Sequence, residues 1–293
     1  MKQKITTFIL ILILTLIPIT TNGATYSSYE DYAKSLRSLG IFVGTDTGFE
    51  LDRAPTRLEG IAMLVRLLGV EDEAMAMKGT AIPFTDVPYW GSGYVAYAYK
   101  NGLTYGISKT KFGSSNSIDA KAYLTFLLRS LGYNDVAGDF NYSNALQFSK
   151  DLGLLNAELY NTLLSNPFLR AHVAVTSYDA LKFPTKGTDV PLIDKLMAEG
   201  KIDIPDFGKL AGCNTLYQSE DSYFYSILDF EMEDYLTYID YLNSFGFNDS
   251  YSFNSEATND IVYVYENNNL GKSIMLSFTE ISGISGLLII TNY

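Results

Sequence analysis

Apolar residues recur at helical spacing in two well-separated stretches. Ile61, Leu64, Val65 and Leu68 form an i, i+3, i+4, i+7 stripe, and Leu124, Leu127, Leu128 and Leu131 repeat it at an offset of 63. That spacing puts four side chains on one face of an α-helix. Each stripe ends in a glycine, Gly69 and Gly132, the residue that takes a left-handed helix end at least cost. A second match lies upstream of each stripe: Ser38-Leu39-Gly40-Ile41-Phe42-Val43-Gly44 aligns with Lys100-Asn101-Gly102-Leu103-Thr104-Tyr105-Gly106 at an offset of 62. A weaker third copy follows the first by 113 residues, carrying Gly40 onto Gly153 and Arg57 onto Arg170.

The pattern predicts three units, at about 28–70, 84–133 and 139–184, each reading helix, Gly turn, irregular loop, helix. One such pair cannot bury its own apolar stripe, whereas three packed together can. Residues 190–201 read as a closing helix ending at Gly200, and 205–212, with Pro205, Gly208 and Gly212, as a linker. Beyond it, Tyr235, Ile239, Leu242 and Phe245 mark a helix over 232–245, stopped by Gly246. Strands are predicted at 261–265, 274–278 and 287–291, with a hairpin turn over Asn267-Asn268-Asn269-Leu270-Gly271. The expected fold class is therefore an all-α N-terminal domain, 25–204, followed by a small α+β domain, 213–293.

The first residues carry an address rather than a fold. Lys2 and Lys4 precede an apolar run from Phe8 to Ile17, broken by Pro18 and followed by Thr21-Asn22-Gly23-Ala24. This reads as a secretory signal peptide over residues 1–24, shorter than the ~20 apolar residues of a spanning helix. No cysteine follows the run to accept a lipid. No membrane contact is expected after cleavage.

Composition narrows the chemistry. The chain has 21 basic and 33 acidic residues, a net charge of −12, which argues against nucleic acid as a partner. The acidity is concentrated: residues 213–293 hold 12 acidic residues and one basic residue, Lys272. A single cysteine, Cys213, and a single histidine, His172, exclude an intrachain disulfide, a thiolate zinc cluster and a multi-histidine metal centre. His172 has no nucleophile elbow beside it, and the acids form no calcium loop. Neither an enzyme nor a cofactor or metal site is expected.

Two motifs remain. Phe84-Thr85-Asp86-Val87, then Trp90, a helix, Gly102-Leu103 and Gly106, form a distinctive opening, and Pro55-Thr56-Arg57-Leu58-Glu59 before an amphipathic helix forms a matching close. Together they resemble the S-layer homology family, over about residues 28–184. The resemblance implies a pseudo-threefold helical spindle that binds secondary cell-wall polysaccharide, often pyruvylated, in grooves between units. It implies a secreted protein on the peptidoglycan-associated wall of a Gram-positive-type bacterium. It also assigns the polymer-binding positions to Arg57, Arg170, Asp86, Trp90, Lys121 and Tyr142. The chemistry suits that role, because a guanidinium offers a planar donor fork to a carboxylate and aromatic faces stack on sugar rings.

The units differ at those positions. Arg57 and Arg170 occupy the arginine place in units one and three, but unit two has Ala120 there, followed by Lys121. Unit three offers Asp139-Phe140 and Tyr142 where unit two has aspartate and tryptophan. Some positions also have local readings. Asp86 reads as a helix N-cap, Thr56 and Glu59 as a capping box, and Arg57 and Arg170 as packing residues paired with neighbouring acids. Arg57 further stands where the free N–H groups of a helix start favour an anion. The alternative to wall anchoring is a secreted protein–protein scaffold built from degenerate units.

Overall fold

The computed structural model describes residues 28–219, 221–255, 260–281 and 284–291. The signal-peptide reading of residues 1–24 lies outside the described residues.

Ten helices come first: α1 (Tyr29–Ser38), α2 (Arg57–Leu67), α3 (Glu71–Ala76), α4 (Ser92–Lys100), α5 (Ala120–Ser130), α6 (Ala145–Asp151), α7 (Ala157–Ser165), α8 (Arg170–Lys182), α9 (Leu192–Ala198) and α10 (Phe207–Ala211). Short 3-10 turns at Tyr89–Gly91 and Tyr142–Asn144 precede α4 and α6. The repeat is visible in the backbone. Gly40, Gly102 and Gly153 follow α1, α4 and α6 with φ of 74°, 71° and 84°, a region costly for any residue with a Cβ. The second helices of the units start by different means. Thr56 Oγ1 accepts the Glu59 N–H at 3.2 Å while Glu59 Oε2 accepts the Thr56 N–H at 2.7 Å, a complete capping box on α2. Asp119 Oδ1 caps α5 by accepting the Ala122 N–H at 2.8 Å. On α8, His172 Nδ1 accepts the Leu169 N–H at 3.1 Å, the place Glu59 takes in unit one.

The C-terminal part has β1 (Tyr217–Gln218), β2 (Ser222–Ser226), α11 (Met232–Ser244), β3 (Asn248–Asn254), β4 (Ile261–Asn267), β5 (Lys272–Ile281) and β6 (Ile284–Thr291). They form one antiparallel sheet in the order β1-β2-β6-β5-β4-β3. The β4–β5 register pairs Asn267 with Lys272 and Tyr265 with Ile274. Ile274, Leu276 and Phe278 share one face of β5 by strand alternation, and Phe278 packs edge-on against Tyr235 of α11 at 4.9 Å.

This corrects the expected division into an all-α N-terminal domain and a small α+β domain. The sheet has six strands among the described residues, and the helical stretch is not purely helical, since Thr56 pairs with Ser117 and Pro184 with Pro191 in antiparallel bridges. One continuous buried core runs from Ala33 in α1 to Ile289 in β6. The segment expected as a linker forms α10, and Phe207 at its start is buried among Tyr225, Phe230 and Tyr238 at 5.1, 4.9 and 5.3 Å. Tyr238 donates to the Pro205 carbonyl at 2.9 Å, and Tyr241 to the Asp31 carbonyl at 2.9 Å. Apolar periodicity reports which side chains are buried but not which element covers them, and that is why the helical and sheet parts read as separate.

Candidate functional site

The start of α2 is docked on the loop of the second unit. The backbone N–H of Arg57 donates to the Asn116 carbonyl at 2.7 Å, and that of Leu58 to Ser114 at 3.2 Å. These N–H groups are therefore not available to an anion, contrary to the expectation for a bare helix start. What remains is the Arg57 side chain. Its Nε donates to the Phe112 carbonyl at 3.0 Å and its Nη2 to Thr104 Oγ1 at 3.3 Å. The guanidinium lies 5.1 Å from the Phe112 ring centre and 4.8 Å from that of Phe126. Burial pushes its pKa down, with the Arg129 charge adding to the shift and the Asp119 carboxylate opposing it. Among the described residues, no carboxylate comes within ion-pair distance of Arg57.

Arg57 faces a cavity of about 340 Å³, lined also by Tyr105, Gly106, Thr125, Phe126, Arg129 and Tyr142. Arg129, three residues after Phe126 and so on the same face of α5, is committed elsewhere. It holds Asp135 through two hydrogen bonds of 2.8 and 2.7 Å and donates from Nη1 to the Leu103 carbonyl at 3.0 Å. That fork keeps the Asp135 carboxyl below its ordinary range. The Tyr105 ring lies 4.6 Å from the Arg129 guanidinium. Tyr105 and Tyr142 are each 48% exposed, so both offer ring surface at the mouth. Tyr142 donates weakly to Asp119 at 3.3 Å, and Lys121 Nζ sits 5.8 Å from the Tyr142 ring centre. Arg57 and Tyr142, predicted from different units, thus meet in one groove, and Lys121 stands beside it, next to the Tyr142 ring.

Asp86 does not cap a helix. Its Oδ1 accepts the Phe112 N–H and its Oδ2 the Gly113 N–H, both at 2.8 Å. Burial works against its charge, but these backbone donors outweigh it and lower the pKa. The loop that Asp86 holds is the one whose Phe112 carbonyl receives Arg57. Gly106 completes the wall: with φ 74°, a Cβ there would stand 2.4 Å from the Phe84 ring and 2.7 Å from the Lys111 carbonyl.

Arg170 repeats the docking without the opening. Its N–H donates to the Arg53 carbonyl at 2.9 Å and its Nε to the Phe49 carbonyl at 2.8 Å, matching Arg57 on Asn116 and Phe112. Phe42 stands where unit two has Thr104, and its ring lies 5.0 Å from the guanidinium. Arg53 bridges Glu50 at 2.9 Å and Glu59 at 2.7 Å, and Arg170 Nη1 is 3.9 Å from Glu59. Arg170 is only 4% exposed. The reading of a packing arginine paired with a neighbouring acid fits this residue.

The remaining predicted positions stand apart. Trp90 is 52% exposed and meets Tyr94 edge-on at 6.5 Å. In unit three α7 occupies the place of the irregular loop, and a cavity of about 460 Å³ lies between it and Lys121, with Gln147, Tyr160 and Phe168 in its lining. The sequence reading missed Tyr105 and Arg129. The signal was present in the repeat, where Arg129 corresponds to Arg66. Among the described residues no group of His, Cys, Asp or Glu is arranged to hold a metal ion, and no helix is long and apolar enough to cross a membrane.

A cell surface protein of Thermoanaerobacter kivui is 31% identical to the chain over 186 residues, which cover 60% of this chain and 24% of that protein. The chain thus spans about a quarter of the length of the curated relative it matches. No family model matches it. The likeness supports a cell-surface protein.

Proposed function

We propose that the protein is held at the cell surface by non-covalent binding of an anionic wall polysaccharide in the Arg57 groove, as the S-layer homology resemblance implies. The observation that carries this reading is the Arg57 guanidinium: part-buried, without an acidic partner among the described residues, and facing a cavity of about 340 Å³. A cation in that position favours an incoming anion, because desolvation has already weakened its alternative, water. Arg57 receives the carboxylate, of a pyruvyl ketal for example. Tyr105 and Tyr142 face the sugar rings, Lys121 adds a second cation at the rim, and Asp86 positions the loop under Arg57. Arg170 contributes packing.

The test is cosedimentation of the chain lacking residues 1–24 with purified wall sacculi, before and after extraction of secondary polymers. Pelleting that depends on the extracted polymer supports the reading. Equal pelleting with both preparations favours the scaffold alternative.

A further inference from the structure

The charge distribution of the C-terminal part leaves one cation to account for. Residues 213–293 contain 12 acidic residues and a single base, Lys272. Screening of a carboxylate-rich surface would place that lysine beside an acid. Yet no carboxylate among the described residues lies within ion-pair distance of it. Lys272 opens β5, on the strand face shared by the buried Ile274 and Leu276, and lines a cavity of about 580 Å³ between α10, the preceding 201–206 segment and the sheet.

Two more lysines reach the same cavity from the helical side, Lys201 and Lys209. Lys201 is paired at 2.8 Å with Glu199, and Lys209 at 3.6 Å with Asp206. Asp206 is itself spent as the cap of α10, accepting the Lys209 N–H at 3.1 Å. Asp203 also lines the cavity. Three ammonium groups therefore border the cavity beside two carboxylates, Asp203 and Asp206. Of the three, Lys272 is the one without an acid in ion-pair range among the described residues. Phe207, Tyr225 and Tyr238 pack together at the base of the cavity and are each at most 2% exposed, while Thr215, Gln218 and Tyr223 supply neutral hydrogen-bonding groups at the wall. A wall of neutral donors and acceptors with one lysine left without an acid beside it matches a polyhydroxylated compound carrying one anionic group.

We propose that this cavity is a second binding site, for a small sugar bearing a carboxylate or a phosphate, with Lys272 as its principal anion contact. The site is separate from the Arg57 groove and does not depend on what that groove binds. It joins elements of both parts of the chain, so a bound ligand stabilises their junction by mass action.

The experiment is isothermal titration of the chain lacking residues 1–24 and carrying Arg57→Ala, which removes the anion contact of the other groove, with glucuronate, glucose 6-phosphate and neutral glucose. The proposal expects saturable binding of at least one anionic sugar and none of glucose, and the anion that binds identifies the class. Lys272→Gln is expected to weaken that binding about tenfold or more, the loss of one charge-assisted contact. Lys209→Gln, on an exposed side chain of α10, gives a second loss that does not rely on a strand residue. Absence of binding by both anionic sugars overturns the proposal. So does equal affinity in that background with and without Lys272→Gln and Lys209→Gln.

Discussion

Glu59 Oε1 lies 2.7 Å from Arg53 Nη2 and 3.9 Å from Arg170 Nη1, so one carboxylate of the first unit answers two guanidiniums, one of them supplied by the third unit. The equivalent arginine of the first unit, Arg57, meets no such acid. Two residues aligned by the repeat, with matching backbone docking, are thereby set to different tasks. The difference comes from neighbours: Glu59 stands in place of Ala122 and Phe42 in place of Thr104.

Replacement of Arg170 by alanine is expected to lower stability by about 1–3 kcal/mol, since it strands the Phe49 carbonyl and leaves a gap over Phe42. Arg57→Ala is expected to cost less stability, its side chain bordering solvent, and to lose polymer binding. Denaturant unfolding and sacculus pelleting of each variant separate the two effects. A stability loss confined to Arg57→Ala would reverse the assignment.

Glu59 should make stability sensitive to acid. Burial opposes its ionisation, but hydrogen bonds from Arg53 and Thr56 prevail and hold its pKa at about 2, against 4.5 for a free carboxyl. A depressed folded-state pKa gives stability that is present above the unfolded value and is lost as pH falls towards the folded one. Glu59→Gln is therefore expected to reduce stability at pH 7 and to flatten its decline between about pH 4.5 and pH 2. Thermal melts across that range check it.

The opposite sign applies to Asp179, which the repeat aligns with Arg66 and Arg129. Burial raises its pKa to about 6 from 3.8, with Lys182 opposing. A raised carboxyl pKa means that ionisation costs the folded state more, so this contribution falls as pH rises from 3.8 to about 6. Asp179→Asn is expected to raise the melting temperature above pH 6 and to leave it unchanged below pH 4. An equal shift at both ends would mean that packing, not charge, sets the effect.

How much of this was legible depends on the range of each interaction. The Thr56–Glu59 capping box was readable because its partners are three residues apart, and the β4–β5 hairpin because its turn is local. Asp86 was misread for the same reason. An aspartate ahead of a helix resembles a cap, and its true partners, the Phe112 and Gly113 N–H groups, lie far along the chain. Strand β3, Asn-Asp-Ser-Tyr-Ser-Phe-Asn, is exposed throughout and carries no buried alternation to announce it. The Arg57 groove was half visible. The repeat identified the arginine, but only the fold brings Tyr142 from the third unit and Tyr105 from the second to its mouth.

Asp86→Asn tests whether the loop beneath Arg57 must be held in place. It keeps the size of the side chain but removes the charge that favours two backbone donors. The expected result is a stability loss of about 1–3 kcal/mol and weaker polymer binding in the folded fraction. Unchanged affinity in a folded Asp86→Asn protein would make the clamp purely structural.

The central claim is tested most directly by the affinity of Arg57→Lys for purified secondary wall polymer, measured on folded protein beside wild type and Arg57→Ala. A point charge cannot reproduce the planar fork, and one charge-assisted contact is worth roughly 1.5–3 kcal/mol. The account predicts that Arg57→Ala binds about ten- to a hundredfold more weakly, and that lysine restores only a small part of the loss. Wild-type affinity in folded Arg57→Ala would contradict it.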